Sequence, residues 1–106
     1  MSENDMDFGL KLFCKSRGAD AVGFLRPDDT FVVKAGSHIS SSTPSALCPV
    51  GVLKRLEAEK HNLNGSELLC DLVFTSSSAA ASFVMQCSAN GYNEWVDQTG
   101  IKLGDL

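Results

Sequence analysis

Apolar and polar residues alternate along the first third of the chain, in short runs separated by turn-forming residues. The first run extends from Leu10 to Lys15, with leucines and a cysteine on one side and lysines on the other, as a half-buried β-strand requires. Two more apolar runs, 21–25 and 30–34, follow segments rich in Gly, Asp and Pro, which are typical of turns. This spacing predicts three strands in an antiparallel meander.

The hydrophobic spacing becomes helical twice in the second half of the chain. From Pro49 to Lys60, leucine and valine side chains fall on one side and charged ones on the other, which predicts a helix. The short, densely apolar segment Glu67–Thr75 predicts a central strand. Serines at positions 76–78 then precede apolar residues spaced i, i+3, i+4 and i+7 between Ala80 and Cys87, which predicts a second helix capped by one of these serines.

Two segments are predicted to be a loop and a turn. Residues 37–45 are mostly serine and other small polar residues, so we expect an exposed, mobile loop there. Asn90 and Gly91 both tolerate positive φ and give the strongest local turn signal in the chain. The last apolar segment, from Trp95 to Leu103, is expected to close the sheet or pack over it.

Together these elements predict an α+β fold in the order β-β-β-α-β-α-β, with a mostly antiparallel sheet and two helices packed on one face. The chain of 106 residues is long enough for one hydrophobic core and too short for two. We therefore expect a single domain over residues 1–106, with 1–7 disordered. The pattern leaves the strand order and the oligomeric state open, and an uncovered sheet edge would allow dimerisation.

Composition and charge narrow the classes of function. The chain is 43% hydrophobic and 21% charged, which is typical of globular domains. Its first seven residues are acidic, unlike a signal peptide, and no apolar run reaches the roughly 20 residues that span a bilayer. We expect a cytoplasmic protein without membrane contact, whose four scattered cysteines are reduced thiols. The net charge of -4 disfavours non-specific binding to phosphate backbones, so a nucleic-acid ligand would need a local basic patch.

The sequence contains few residues at spacings typical of metal-binding or catalytic sites. Cys70 and Cys87, the nearest pair of cysteines, are too far apart for a zinc motif, and His38 and His61 have no ligand at metal-binding spacing. The sequence lacks the local motifs of hydrolases, phosphate-binding loops and zinc proteases. We therefore predict no metal, no cofactor and no catalytic activity. A small Cys- or Ser-dependent enzyme with His38 as its base is the remote alternative.

Three ordered blocks of sequence carry a family resemblance. They read TFVVKAGS over residues 30–37, FTSSSAAA over 74–81 and SANGYNEW over 88–95. From about Phe8 to Leu103 the chain resembles the family known as domain of unknown function 4357. The resemblance implies a bacterial module with no established catalytic activity, often found C-terminal to GIY-YIG nuclease domains. A related-looking group, the restriction and adenine-methylase associated domain, has been proposed to read modified DNA.

The chain departs from the family pattern at two positions that commonly carry positive charge. Gln86 and Cys87 stand where a Gly-Arg pair commonly precedes the third block, and Val96 stands where a Lys often follows the Trp. If the family binds nucleic acid through these charges, each lost charge removes one phosphate contact and this member should bind weakly or not at all. The departures therefore favour a protein-facing role.

The favoured function is a non-catalytic accessory or recognition module that mediates interaction with a partner protein or a fused domain. The alternative is a module that binds nucleic acid or a modified DNA base, associated with nuclease or restriction systems. The residues predicted to make the contact are Lys34, Ser37, Arg55, Asn90, Gly91 and Trp95. The same blocks also read as a fold signature, in which glycines permit turns, serines cap a helix and Trp95 fills the edge of the core.

Overall fold

A computed structural model of the chain describes residues 9–41 and 45–106. Within these residues the strands are β1 Leu10–Cys14, β2 Ala21–Leu25, β3 Phe31–Val33, β4 Leu63–Asn64, β5 Glu67–Leu68 and β6 Leu72–Phe74. The α-helices are α1 Val50–Ala58, α2 Ser77–Met85 and α3 Gly91–Glu94, and 3₁₀ turns occupy Lys60–Asn62 and Leu103–Asp105. The disorder predicted for residues 1–7 lies outside the described residues.

Four strands form one antiparallel sheet in the order β1-β2-β3-β6. Leu10 pairs with Leu25 at the start of β1, and Phe31 of β3 pairs with both Leu25 and Phe74. A separate small hairpin joins β4 to β5. The predicted α+β class and the antiparallel meander of the first three strands are therefore confirmed.

The last apolar segment closes the free edge of β1. Val96 exchanges two backbone hydrogen bonds with Phe13, with N···O distances of 2.7 and 2.9 Å. Val96 also forms an antiparallel bridge to Lys102. The expected closure of the sheet thus occurs through isolated bridges, and the segment from Trp95 to Leu103 does not form a further strand.

The single central strand predicted over Glu67–Thr75 is wrong. The segment contains two short strands in different sheets, and β6 lies at the edge of the larger one. The interruption covers residues 69–71 and ends at Asp71, whose carboxylate accepts hydrogen bonds from the backbone N–H of Ala35 at 2.8 Å and from Lys34 Nζ at 2.7 Å. These contacts hold the chain to the β3 terminus and bend it between the two strands.

The exposed loop predicted over residues 37–45 is also wrong for the first half of that segment. Ser37, Ile39 and Ser40 are buried. Ser40 donates its backbone N–H to the Val84 carbonyl, and its hydroxyl to the carbonyl of Arg17. The short polar side chains satisfy backbone groups inside the fold, where the composition indicated a solvated loop. Residues 42–44 lie outside the described part of the chain.

The two predicted helices are confirmed as α1 and α2. Ser76 is the N-cap of α2, and its hydroxyl accepts the backbone N–H of Ala79 at 3.1 Å. At the other end Gln86 adopts a left-handed conformation with φ of 57°, which ends the helix before Cys87. Alanine and serine positions let α2 lie close to β3 and β6, while α1 packs against α2.

The Asn90-Gly91 pair, predicted as a turn, forms the start of a helix, and neither residue has a positive φ. Asn90 is the N-cap of α3 with φ of -101°, and its side chain accepts the backbone N–H of Tyr92. Among the described residues, no helix is long and apolar enough to cross a membrane.

Candidate functional site

Trp95 is the most enclosed of the predicted contact residues. Its side chain is fully buried, and its ring lies 4.5 Å from that of Phe31 between ring centroids. Its indole N–H donates to the carbonyl of Ser77 at 2.9 Å. The structure therefore uses Trp95 to join α3, β3 and the start of α2.

Asn90 and Gly91 belong to the same contact between α3 and α2. The backbone N–H of Gly91 donates to Ser78 Oγ at 2.9 Å. A Cβ atom at position 91 would lie only 2.6 Å from the Ser78 backbone nitrogen and closer still to Ser77. Glycine is thus required by the close approach of the two helices.

Lys34 and Ser37 lie together where the chain leaves β3. Lys34 forms an ion pair with Asp71 across 2.7 Å, and its carbonyl accepts the Ser37 backbone N–H at 3.2 Å. The Ser37 side chain is 4% exposed, and its hydroxyl accepts the Val22 N–H at 3.0 Å. These two residues fasten the connection after β3 to the adjacent strand and to Asp71.

Arg55 occupies a third place, on α1 beside the edge strand β6. Its Nε donates to Glu59 Oε2 at 2.7 Å, and its Nη2 donates to the Val73 carbonyl at 3.0 Å. Its guanidinium carbon lies 4.4 Å from the centre of the Phe74 ring. The side chain is therefore held in one orientation by an acid, a strand carbonyl and an aromatic face.

Glu59 keeps its negative charge in this arrangement. Partial burial acts to raise the pKa of Glu59, but hydrogen bonds from Asn62 and Arg55, together with the charge of Arg55, outweigh it and hold that pKa below its ordinary value. The Arg55–Glu59 pair is consequently ionised at neutral pH.

Beside Arg55, an open cavity of about 540 Å³ separates α1 from α2 and is floored by the end of β6. We call it the α1–α2 groove. It is bordered by Val52, Arg55, Val73, Phe74, Ala79 and Phe83. Of the six residues predicted to contact a partner, Arg55 alone lines this groove.

The groove exists because short residues face each other across the two helices. Ser78, Ala79 and Ser82 line it from α2, and Gly51 lines it from α1. None of these side chains is large enough to fill the space between the two helices. The result is an apolar floor with hydroxyl groups and one guanidinium at its border.

Sequence reasoning treated the apolar residues of the groove as core and so missed the site. Val73 was expected in a buried central strand, yet it is 46% exposed at the groove. Leu53, outside the groove, was expected on the buried side of α1 and is 41% exposed. The sequence feature that could have indicated the groove is the run of small residues in α2. Small side chains allow close packing against the sheet, and they leave a gap wherever the facing element has no large side chain.

Two of the four thiols, those of Cys14 and Cys48, do not have the properties of activated nucleophiles. Burial raises the pKa of Cys14 to about 11. Burial also raises the pKa of Cys48. Both groups are therefore protonated at neutral pH, whereas cysteine nucleophiles react as thiolates.

His38, the base of the remote enzyme alternative, is exposed. Its Nδ1 lies 3.1 Å from the hydroxyl of Ser66, while Ser37, its neighbour in sequence, is buried. Within the described residues, no three His, Cys, Asp or Glu side chains are grouped so that they could hold a metal ion.

The fold and the groove define a small α+β domain with a four-stranded antiparallel sheet, a helix (α2) packed against the sheet, two further helices packed against α2 and an open apolar groove at the sheet edge. The family model described as Domain of unknown function (DUF4357) matches residues 12–106. The chain therefore belongs to this family, and the resemblance carried by its three sequence blocks is confirmed. Searches of curated proteins and of solved structures returned no match.

Proposed function

We propose that this domain is a non-catalytic recognition module that binds a segment of a partner protein in the α1–α2 groove. The observation that carries the proposal is the groove itself. Its volume of about 540 Å³ is within the roughly 300–1,000 Å³ of ligand sites, which combine an apolar lining with a few fixed polar groups. Val52, Phe74 and Phe83 supply the lining, and Arg55 supplies the fixed polar group.

Part of the apolar lining is exposed to solvent, which favours a polypeptide ligand that lies across the surface over a compact small molecule. Val73 of β6 lines the groove and is 46% exposed. Exposed apolar residues in a groove are typical of protein interaction sites. Leu47, Val50 and Leu53 are also exposed, but none of them lines the groove.

The nucleic-acid alternative receives less support from the side chains that the family resemblance put forward. Trp95 is fully buried and has no face free to stack on a base. Lys34 is engaged by Asp71, and the chain carries a net charge of -4. The apolar groove therefore supports a protein ligand better than these side chains support a nucleic-acid ligand.

The test is a selection of random 12-residue peptides displayed on phage against the immobilised chain, followed by measurement of the enriched peptides by titration calorimetry. Ala79→Leu places extra volume in the groove at a helical position that tolerates leucine. Ala58→Leu is the matched control, because it adds the same side chain at an exposed position outside the groove.

Enriched peptides should bind the wild-type chain and Ala58→Leu equally, and bind Ala79→Leu at least tenfold more weakly. Both variants should first show wild-type far-ultraviolet circular dichroism and cooperative urea unfolding. Failure to enrich any peptide, or equal binding to Ala79→Leu, would rule out the groove as a peptide site.

A further inference from the structure

We infer that the partner segment binds as an extended strand that adds to the free edge of β6, beside the α1–α2 groove. The inference rests on the proposed function and adds the conformation of the segment and its backbone contacts. β6 is the last strand of the four-stranded sheet. One side of it pairs with β3, and its other side faces no strand of the described chain.

The hydrogen bonds between β2 and β3 fix the direction of the backbone groups in β3. Arg26 donates its N–H to the carbonyl of Thr30 at one end of this pair of strands. Lys34 donates its N–H to the carbonyl of Val22 at the other end. Hydrogen-bonded residues alternate along an antiparallel ladder, so Val32, halfway between Thr30 and Lys34, also directs its N–H and C=O toward β2.

The same alternation leaves the backbone of Val73 pointing away from the sheet. The β3 residues on either side of Val32 direct their backbone groups toward β6, where they pair with Leu72 and Phe74. Val73 lies between these two and therefore has its N–H and C=O on the free side of the strand. The bond from Arg55 Nη2 to the Val73 carbonyl, at 3.0 Å, agrees with this direction. Within the described residues, the Val73 N–H has no hydrogen-bond partner.

The position beside β6 continues a ladder that the chain itself begins. β5 bonds on one side to residues 36–38, which follow β3, and on the other side to β4. The ladder of β4 ends where the Leu69 N–H donates to the Asn62 carbonyl at 2.8 Å. The chain continues from β5 into β6, whereas the residues before β4 leave through a 3₁₀ turn and α1. An added strand at β6 therefore takes the place that β4 takes at β5.

The groove lies where side chains of an added strand point. Cross-strand neighbours point to the same face of a sheet. The partner residue opposite Phe74 therefore faces the groove, whose lining includes Phe74 and Phe83. The adjoining partner residue points to the other face and covers the side chain of Val73, which is 46% exposed. The partner sequence thus carries two consecutive apolar residues, one for each face, and no proline where its N–H pairs with β6.

The occupant of the edge is a partner segment, and the position of α1 argues against a second copy of β6. Arg55 reaches the outward carbonyl of Val73 from α1, so this helix lies beside the free side of β6. Two copies paired through β6 would bring two α1 helices into the same space. A single extended segment has no such helix. It can bond to the Val73 N–H and to the carbonyl, which has a second lone pair beside the one that Arg55 uses.

Amide hydrogen exchange measured by NMR tests the contact to Val73 directly. The probe is a phage-selected peptide, added until it saturates the isotope-labelled chain. The Val73 amide should exchange at least tenfold more slowly with the peptide bound. The amide of Gln98, which is exposed and outside the groove, should not change. An unchanged Val73 rate in the saturated complex would overturn the inference. Slow exchange in the free chain that depends on its concentration would also overturn it, because a second copy would then occupy the edge.

A scan of the peptide backbone identifies the strand conformation without altering the protein. Each peptide residue in turn is replaced by its N-methylated form, which has no donor N–H. In a strand added to β6, alternate N–H groups point toward β6 and the others point to solvent. Binding should weaken about tenfold at every second position of the paired stretch, and by less than about twofold at the positions between. Losses without this alternation would show another bound conformation and overturn the inference.

Val73→Pro and Val73→Ala separate the backbone N–H from the side chain. Proline removes the outward N–H, which the sheet itself does not use, and it is tolerated at such edge positions. Alanine keeps the N–H and removes most of the side chain. The peptides should bind Val73→Pro at least tenfold more weakly than Val73→Ala, and equal binding by two folded variants would contradict the backbone contact.

The Ala79→Leu variant distinguishes failure of this inference from failure of the proposed function. Peptides that lose affinity for Ala79→Leu but leave the Val73 amide unprotected would overturn the added strand and leave the groove as their site. A pool that binds Ala79→Leu normally, or a selection that enriches no peptide, would reject both proposals.

Discussion

Trp95 and Gly91 show how single residues in a recognisable sequence block serve the fold. Trp95 combines a ring contact with Phe31 and a hydrogen bond to the Ser77 carbonyl. Gly91 leaves room for the backbone of α2 at the same place. Both residues therefore act on the joint between α2 and α3.

Gly91 and Gly51 give opposite predictions for the same substitution. In Gly91→Ala the new methyl group meets the backbone of Ser77 and Ser78, so the free energy of unfolding should fall by about 1–3 kcal/mol, as in overpacked sites. In Gly51→Ala no atom lies within 4 Å of the new Cβ, and the residue is helical. The free energy of unfolding should rise there by about 0.5–1 kcal/mol.

Urea denaturation followed by tryptophan fluorescence measures both changes, and Gly51→Ala serves as the control for the substitution itself. Equal effects at the two positions would contradict the close approach of α2 and α3.

At the residue scale, the sequence predicted the local roles of side chains better than it predicted their burial and their long-range contacts. Serine capping near residues 76–78 follows from the hydroxyl group alone, and the structure confirms it at Ser76. The buried state of Ser37 and the contact between Arg55 and Val73 depend on residues far away in the chain. No local pattern records such contacts, which is why Arg55 was the only groove residue among the six predicted to contact a partner.

At the scale of elements, α2 shows how local signals add up when they agree. A serine cap, alanines in the middle and an apolar stripe all predict a helix in the same place. The strand predicted over Glu67–Thr75 had only its apolar density as support. A long-range carboxylate contact at Asp71 then decided where that segment bends.

The cap of α2 gives a prediction for this element. Ser76→Ala removes the acceptor for the Ala79 N–H, so the free energy of unfolding should fall by about 1 kcal/mol. Ser76→Asp keeps an acceptor at the helix start and adds a favourable charge there, so it should retain wild-type stability or exceed it. Thermal unfolding by circular dichroism compares the two variants. A loss in Ser76→Asp as large as in Ser76→Ala would show that the hydroxyl acts through some contact other than the cap.

At the scale of the whole molecule, several carboxylates couple stability to pH. Partial burial acts to raise the pKa of Asp71, but hydrogen bonds from Lys34 and the Ala35 N–H, with the charge of Lys34, hold it below its ordinary value of 3.8. Hydrogen bonds from Thr99 and from the Ile101 N–H lower the pKa of Asp97. A carboxylate whose pKa is lowered by folding stabilises the protein above its unfolded pKa, and that contribution is lost as pH falls through the folded value.

The urea midpoint should therefore be constant near pH 6 and fall steadily below about pH 4. Asp71→Asn should cost up to about 1 kcal/mol at pH 6, as expected for a partly exposed ion pair. It should cost less at pH 2.5, because below the unfolded pKa of Asp71 part of the contribution of its charge is already lost. Urea denaturation of the wild type and of Asp71→Asn at both values of pH measures the difference in their free energies of unfolding. A difference that does not change with pH would mean that the charge of Asp71 does not contribute to stability.

During synthesis, the edge of β1 and the ring of Phe31 wait for their partners. Val96 bridges to Phe13 in β1, and Trp95 covers Phe31. The first three strands leave the ribosome while the residues that complete them have yet to be translated. At about 5–20 residues per second, this interval lasts on the order of seconds. The nascent chain thus displays an unfinished sheet edge and an uncovered phenylalanine until residues 95 and 96 have left the ribosome, and a ribosome-associated chaperone can bind in that interval.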